Sequence, residues 1–375
     1  MPGKDSIVFI NQNAGYLMID IINAHKNFTE RSIITGKLVE RNIKLDADVK
    51  INKIITYNRT SGFKRLYTWG IGFLQIVWLI KTRYRHSKLF IVSNPPFAGL
   101  LPLFCRNPFS VLIFDVYPDV LLAYKFLKPT SAITKWWQKA NTKIYKRADR
   151  IFTLSDGMKT VLSQYAATDK IEVVPLWADN SFLKPVAKSE NIFLQQNRLQ
   201  NKFLVIYSGN LGHSHSIEAI VEVAKKTKDT QIMFVIIGEG DKKKEIELII
   251  KNYQLDNCLL LPWQDVNMLP YILSAADIGV VTLGKEAGSF SIPSKTFSLL
   301  GAGVPLLCIA NKTSELTNLV YKHEVGKCFD SNDITEMIDF IYSVKSNKGY
   351  HQQLKENTVK AMQQYSPVNA LKFVN

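Results

Sequence analysis

Cysteine is scarce in this 375-residue chain, and acid is nearly missing from one long stretch of it. The four cysteines are Cys105, Cys258, Cys308 and Cys328. None forms a C-x-x-C pair and none stands at zinc-ligand spacing, which removes metal-stapled and disulfide-stapled folds. Cys258 and Cys308 lie in apolar runs and read as small buried hydrophobes in a reducing compartment. No run reaches the roughly 18 to 20 apolar residues that a spanning helix needs. The nearest, residues 69–80, is closed by Lys81, Arg83 and Arg85 and reads as a buried helix or a membrane-surface helix. The first residues lead into a short strand rather than a signal core. Walker and G-x-S-x-G motifs, fixed-period repeats and low-complexity tracts are also missing.

What is present suits a soluble globular protein of two ordinary domains, with 46% hydrophobic and 21% charged residues. The net charge of +15 is one-sided. Residues 1–180 hold 26 Lys and Arg against 13 Asp and Glu, whereas residues 181–375 hold 21 against 19. Within residues 53–147 sixteen basic residues face only two acids, Asp115 and Asp119. Such a half implies an anionic partner: acidic lipid, lipid-linked phosphate or nucleic acid. A basic segment at 125–150 carries Trp136 and Trp137, a composition that suits a helix lying on an anionic membrane.

Short Val- and Ile-rich runs bounded by Gly, Pro or Asn alternate with longer helical patterns. They predict buried parallel strands at 6–11, 89–93, 110–114, 150–154 and 171–174, and again at 203–208, 231–237, 258–261, 278–282 and 305–308. Two such sets imply two doubly wound α/β domains. The polar stretch 179–200 marks the expected boundary, giving domains 1–185 and 186–354 and a terminal helical segment 355–375.

Four loops carry the chemistry. After the strand at 203–208 comes Ser208-Gly209-Asn210-Leu211-Gly212-His213, leading into an amphipathic helix. Glycines there let a ligand approach the backbone, and free amides at a helix start attract phosphate. The alternative is an ordinary turn capped by Ser216. Next, Gly238-Glu239-Gly240-Asp241 ends another strand and precedes three lysines, where a tight turn with solvated lysines competes with a base-binding loop. The third is Pro293-Ser294-Lys295-Thr296, a helix start with Pro in its first turn. A lysine at that end runs against the helix dipole, a conflict that a diphosphate on the Ser294 and Lys295 amides resolves. In the basic half, Asp115 and Asp119 stand at a strand's carboxyl end, either to orient an acceptor hydroxyl or to cap a helix and pair on the surface. The loops after 6–11, through Gly15, and after 89–93 share that rim. His213 and His215 have no carboxylate spaced to complete a metal site.

The set Ser208-Gly209-Asn210-Leu211-Gly212, Gly238-Glu239-Gly240, Ala276-Asp277-Ile278, Pro293-Ser294-Lys295-Thr296-Phe297 and Gly303-Val304-Pro305 resembles glycosyltransferase family 4. The nearest branch builds bacterial surface polysaccharides and includes aminosugar transferases. The resemblance implies a GT-B fold, two Rossmann-like domains facing across a cleft. It also implies retaining, metal-independent transfer without a cofactor. Under it, Gly15, Gly209, Asn210, Gly212, His213, Gly238, Glu239, Gly240, Ser294, Lys295, Thr296 and Ser298 are assigned to a UDP-sugar donor. Asp115 and Asp119 are the catalytic candidates. A glycan or polyprenyl-diphosphate-linked acceptor, an anionic membrane on the inner face of the cell and no nucleic acid complete the expected partners. The chain departs from the family where its ribose-binding Glu is replaced by Ser298 and its paired Glu by Phe290, with Glu286 or Glu239 as substitutes. The family's acceptor-side His falls on Asp115. A catalytically silent nucleotide-binding subunit and a sugar-nucleotide epimerase remain open as alternatives.

Overall fold

Strands made of uninterrupted Val, Ile, Leu and Phe have no face to offer water, so they must lie between layers of helix. The computed structural model, which describes residues 5–58, 60–213, 215–284 and 292–374, arranges them in that way in two compact units.

The first unit comprises residues 1–176 together with 367–375. It begins with β1 (Ser6–Ile10), β2 (Asn13–Ala14), α1 (Tyr16–Ala24), β3 (Glu30–Thr35), β4 (Lys37–Leu38) and β5 (Lys50–Lys53). Then follow α2 (Gly62–Thr82), β6 (Lys88–Val92), β7 (Phe109–Ile113), α3 (Asp119–Ala123) and α4 (Ala132–Arg147). The unit continues with β8 (Arg150–Thr153), α5 (Asp156–Leu162) and β9 (Ile171–Val173). Seven strands form a parallel sheet in the order β5-β3-β1-β6-β7-β8-β9. Serine side chains at Ser61, Ser131 and Ser155 accept from amides in the first turns of α2, α4 and α5, which fixes where those helices start. The inward faces of α2 and α4 and the 3₁₀ segment Pro96–Leu103 pack over one core cluster against the central strands.

The five strands expected in this half are present with ends shifted by a residue or so. β3 and β5 escaped the pattern. β3 opens on Glu30 and Arg31, and Arg31 is buried only because its guanidinium donates to Asp46 at 3.0 Å and Asp48 at 2.8 Å. β5 reads Lys-Ile-Asn-Lys because it is the edge strand, where charge discourages pairing with another chain.

The second unit, residues 177–366, contains α6 (Ile192–Asn197), β10 (Phe203–Ser208), α7 (Ile217–Lys226), β11 (Ile232–Ile237), α8 (Lys243–Asn252) and β12 (Cys258–Leu261). It continues with α9 (Leu269–Ala275), β13 (Ile278–Thr282), α10 (Ser294–Gly301), β14 (Leu306–Ile309), α11 (Glu315–His323), β15 (Gly326–Phe329), α12 (Ile334–Ser346) and α13 (Lys348–Gln364). Its six parallel strands run β12-β11-β10-β13-β14-β15. Asp277 ties this sheet at its base: one carboxylate oxygen accepts from the Leu204 amide at 2.9 Å, and both accept from Lys188 at 2.7 Å.

The units divide at Leu176, earlier than the polar stretch suggested. Trp177, Ala178 and Asp179 are buried, and the Ala178 amide donates to Tyr365 O, so they belong to the second core despite preceding its first helix. The terminal segment also splits differently from 355–375. α13 packs on α10 and α12 within the second unit, and only the 3₁₀ segment Pro367–Phe373 returns to the first. There Phe373 is buried, with its ring centroid 4.7 Å from Phe152 and 5.9 Å from Phe90. Phe373→Ala is expected to destabilise the first unit by about 3 kcal/mol, the cost of an emptied aromatic core site. Urea denaturation followed by circular dichroism checks this, with the transition of the second unit unmoved.

Candidate functional site

In the second unit the loops after β10 and β11 lie against each other at the carboxyl edge, because β10 and β11 are neighbours and parallel. The contact is so close that only glycine fits. Gly238 has φ +156° and a Cβ on it would overlap the carbonyl oxygen of Gly209; a Cβ on Gly240 would come within 2.5 Å of the Leu211 carbonyl carbon. The Gly209 amide donates to Ile237 O at 2.9 Å and the Leu211 amide to Glu239 O at 2.9 Å, so the loops are stitched as well as packed. Tyr207 closes the turn from beneath, its hydroxyl donating to Asn210 O at 2.7 Å.

α10 brings its first turn to the same place. Lys295 Nζ sits 3.9 Å from the centre of the Tyr207 ring, and a Cβ on Gly209 would collide with it. The amine is buried and finds no hydrogen-bond partner among the described residues; neither does the hydroxyl of Thr296, the next residue. Burial lowers the Lys295 pKa to about 7. Pro293 is the N-cap, and no side chain caps this helix end. The arrangement is therefore a helix N-terminus, an enclosed cation and a glycine loop, with no carboxylate bonded to the amine among the described residues. An oxyanion entering it would satisfy the amine and gain from the dipole.

His215 extends the site. Its Nδ1 is 2.9 Å from Thr282 Oγ1, at the end of β13. Burial and then the nearby Lys295 charge lower its pKa, keeping the imidazole neutral near pH 7. Lys242 donates to His215 O at 2.8 Å and pairs with Glu218 at 2.7 Å. Neither Tyr207 nor Thr282 was singled out in the sequence, although each is a hydroxyl near the carboxyl end of an otherwise aliphatic strand, which is the available signal.

The structure thus brings together Gly209, Asn210, Gly238, Gly240 and Lys295, with Ser294 exposed at the start of α10; Thr296 is buried in the same turn, and nothing places its hydroxyl at the loops. Gly212 closes the loop by accepting from the His215 amide at 3.1 Å. Ser216, offered as the cap of α7, makes no capping bond. His213 is largely exposed, 3.7 Å from Asp241. Glu239 is half-buried and its carboxylate already holds Lys243 at 2.6 Å, so two of the three lysines after it are engaged rather than merely solvated. Ser298 lies one turn farther along α10, partly buried. Glu286 and Phe290 lie outside the described residues. Gly15 belongs to the first unit, where it is the N-cap of α1 with open space around its α-carbon.

In the first unit, neighbouring strands β1, β6 and β7 end on one rim, so the loops carrying Gly15, Asn94 and Asp115 share it. The two carboxylates there differ. Asp119 opens α3 without capping it, and its Oδ2 accepts from Tyr165 Oη at 2.7 Å. Burial raises its pKa and the Tyr165 bond partly offsets this. It is a structural partner, occupied by a residue 46 positions away. Asp115 is half-buried, its pKa is raised by burial alone, and it lies within electrostatic reach of Tyr117. Trp137, expected at a membrane surface, is 8% exposed and stacks on Tyr117, whereas Trp136 is 55% exposed.

Comparison with known proteins follows the same division. Residues 188–361 match the family described as glycosyl transferases group 1. WcaI of Escherichia coli (strain K12), named for colanic acid biosynthesis and glycosyl transfer, is 27% identical over 175 residues, 46% of this chain and 43% of the relative. WbjE of Pseudomonas aeruginosa, named as a glycosyltransferase, is 24% identical over 240 residues, 62% and 59% of the two chains. The alignments thus span about half the length of these curated relatives. Among solved structures, HepE of Anabaena in complex with UDP-glucose superposes with TM-score 0.72 at 14% identity, covering 98% of each chain. WaaG, a glycosyltransferase involved in lipopolysaccharide biosynthesis, gives 0.69 at 12% identity over 98% and 99%. At such identities the likeness is one of fold. The seven- and six-stranded parallel units give this chain the GT-B fold, and the part of it that matches the glycosyl transferases group 1 family, residues 188–361, lies wholly within the second unit.

Proposed function

We propose that the chain is a glycosyltransferase of surface polysaccharide synthesis. It moves a hexose or N-acetylhexosamine from a UDP-sugar to a lipid-linked or oligosaccharide acceptor, with retention of configuration. The observation that carries this reading is the buried Lys295 amine, which has no hydrogen-bond partner among the described residues and lies at a helix N-terminus facing a glycine loop. A diphosphate is the group that this donor set lacks. Lys295, the Ser294 and Lys295 amides and the 209–212 loop hold it, and their charge stabilises the leaving diphosphate without a metal. The Gly238–Gly240 backbone lies beside the same loop and takes the nucleoside. Of the two catalytic candidates, Asp115 is the one free of a structural bond, and it orients the acceptor hydroxyl. HepE, whose structures hold UDP and UDP-glucose, supports the choice of nucleotide. The basic first unit supports an anionic membrane on the inner face of the cell as the place where the acceptor is met. Ser298, standing where the family has its ribose-binding Glu, favours one second reading, a subunit that binds UDP without turnover. Release of UDP from UDP-glucose or UDP-N-acetylglucosamine with a glycan acceptor, in EDTA, tests both; UDP binding with no turnover across a broad panel selects the second.

Three outcomes follow from the site. Lys295→Met is expected to weaken UDP binding by about tenfold or more, as the loss of a buried charge-assisted contact does. The same variant should melt higher than the parent when no ligand is present, because the desolvated ammonium opposes folding. Calorimetric titration and thermal melts read the two effects, and a variant that binds UDP normally removes Lys295 from the role.

The second outcome is a pH dependence. A lysine whose folded pKa is lowered to about 7 leaves the unfolded chain holding more protons between that value and 10.5, so the ligand-free protein gains stability as pH rises through this window. UDP affinity moves the opposite way and falls as pH rises above 7, because binding requires the amine to be protonated. Titrations in buffers of different ionisation enthalpy should show proton uptake on binding above pH 7, and Lys295→Met should abolish it.

The third separates the carboxylates. Asp115→Asn should lower kcat by about a hundredfold, within the range of general-base losses, with UDP affinity and melting temperature unchanged. Asp119→Asn and Tyr165→Phe should instead lower the melting temperature together.

A further inference from the structure

α2 is apolar on two opposite faces, and only one of them is covered. Thr68, Gly72, Ile76 and Ile80 recur every fourth residue and face the core of the first unit. On the other side Phe63, Tyr67, Leu74 and Trp78 form a stripe that is 80%, 55%, 64% and 63% exposed. Leu66 on its flank is also exposed. A soluble helix with one buried face carries polar residues on the other. This one carries rings and aliphatic chains, yet no helix among the described residues is long and apolar enough to cross a membrane. A helix with two apolar faces, anchored to protein through one, has the other free for a second apolar phase.

Charge identifies that phase. The stripe is bracketed by Lys64 and Arg65 in the first turn and by Lys81 and Arg85 at the far end, all exposed and none in an ion pair among the described residues. Beyond its end, Lys81, Arg85, His86 and Arg106 line a hollow of about 680 Å³ with Phe104, and no acid lines it. Phe104 is itself in edge contact with Phe73 of α2, at 5.4 Å between centroids, so hollow and helix are continuous. Rings such as Tyr67 and Trp78 beside lysine and arginine suit the boundary between acyl chains and headgroups. A protein partner matched to this surface would need a long acidic rim around an apolar groove, whereas an anionic bilayer offers both phases by construction.

We infer that the outward face of α2 is a monotopic docking surface for an anionic lipid bilayer, with Phe63, Tyr67, Leu74 and Trp78 entering the acyl boundary and the Lys81–Arg85–Arg106 hollow receiving a lipid phosphate. This deepens the membrane partner of the proposed function and rests on that part of it. The helix lies in the membrane plane, anchoring the unit whose rim carries Asp115.

Co-sedimentation with vesicles tests it. The intact chain is expected to pellet with phosphatidylcholine vesicles containing phosphatidylglycerol and to stay largely in solution with phosphatidylcholine alone. Leu74→Glu with Trp78→Glu, and separately Lys81→Glu with Arg85→Glu, should each weaken binding to the anionic vesicles by about tenfold or more, with melting temperature and UDP affinity unchanged. Brominated lipid should quench tryptophan fluorescence in the parent, and Trp78→Phe should reduce the quenching while keeping most of the binding. Equal pelleting with both vesicle types, or anionic binding undiminished in the double-Glu variant, overturns the proposal. A dimer that Leu74→Glu with Trp78→Glu dissolves, without vesicle binding, assigns the face to a second copy instead. UDP binding measured without vesicles reads the donor site alone, so failure of the transferase reading and failure of this one are separable.

Discussion

An ammonium group enclosed by protein, with an aromatic ring for company and no hydrogen-bond acceptor, opposes folding. The chain keeps such a group at Lys295, whose amine has no acceptor among the described residues, and builds around it: a helix whose N-cap, Pro293, offers no capping side chain, a tyrosine face at 3.9 Å and two glycine turns pressed into contact. Each of these features is unfavourable or restrictive alone. Together they form the cationic, glycine-lined turn on which the proposed diphosphate site rests. The lowering of its pKa to about 7 has the same origin, the desolvation of the amine.

The first unit follows a different physical logic. Its sheet is as apolar and as deeply buried as that of the second, but its outer helices carry the charge excess and the uncovered rings. Basic residues alone suit many anions, and an exposed tryptophan alone says little. The combination on one helix, with bases at both ends and an apolar stripe between them, is what the proposed bilayer docking rests on.

Some roles were decided by neighbours far along the chain. Asp115 and Asp119 look equivalent as letters, four residues apart on one loop. Tyr165 takes Asp119 and leaves Asp115 without a bond among the described residues. Trp136 and Trp137 are adjacent and basic-flanked, yet the helical turn sends one into the core against Tyr117 and the other to solvent. Asp277, part of the family-like Ala-Asp-Ile string, is a strut between Lys188 and the Leu204 amide rather than a ligand group.

The sequence by itself determined the two α/β units, most of their strands, the glycine turns and the start of α10. These depend on burial and backbone bonding within a few residues, and local pattern records both. It was silent on β3 and β5, whose polar residues answer to Asp46, Asp48 and an edge position. Only the tertiary structure decided that Lys295 would be buried beside Tyr207 with no partner among the described residues, that Asp119 would be spoken for, and that α2 would leave an apolar face uncovered. The reason is reach: a side chain's solvation and partners are set by whatever the fold carries to it, and those groups lie tens of residues away in the chain.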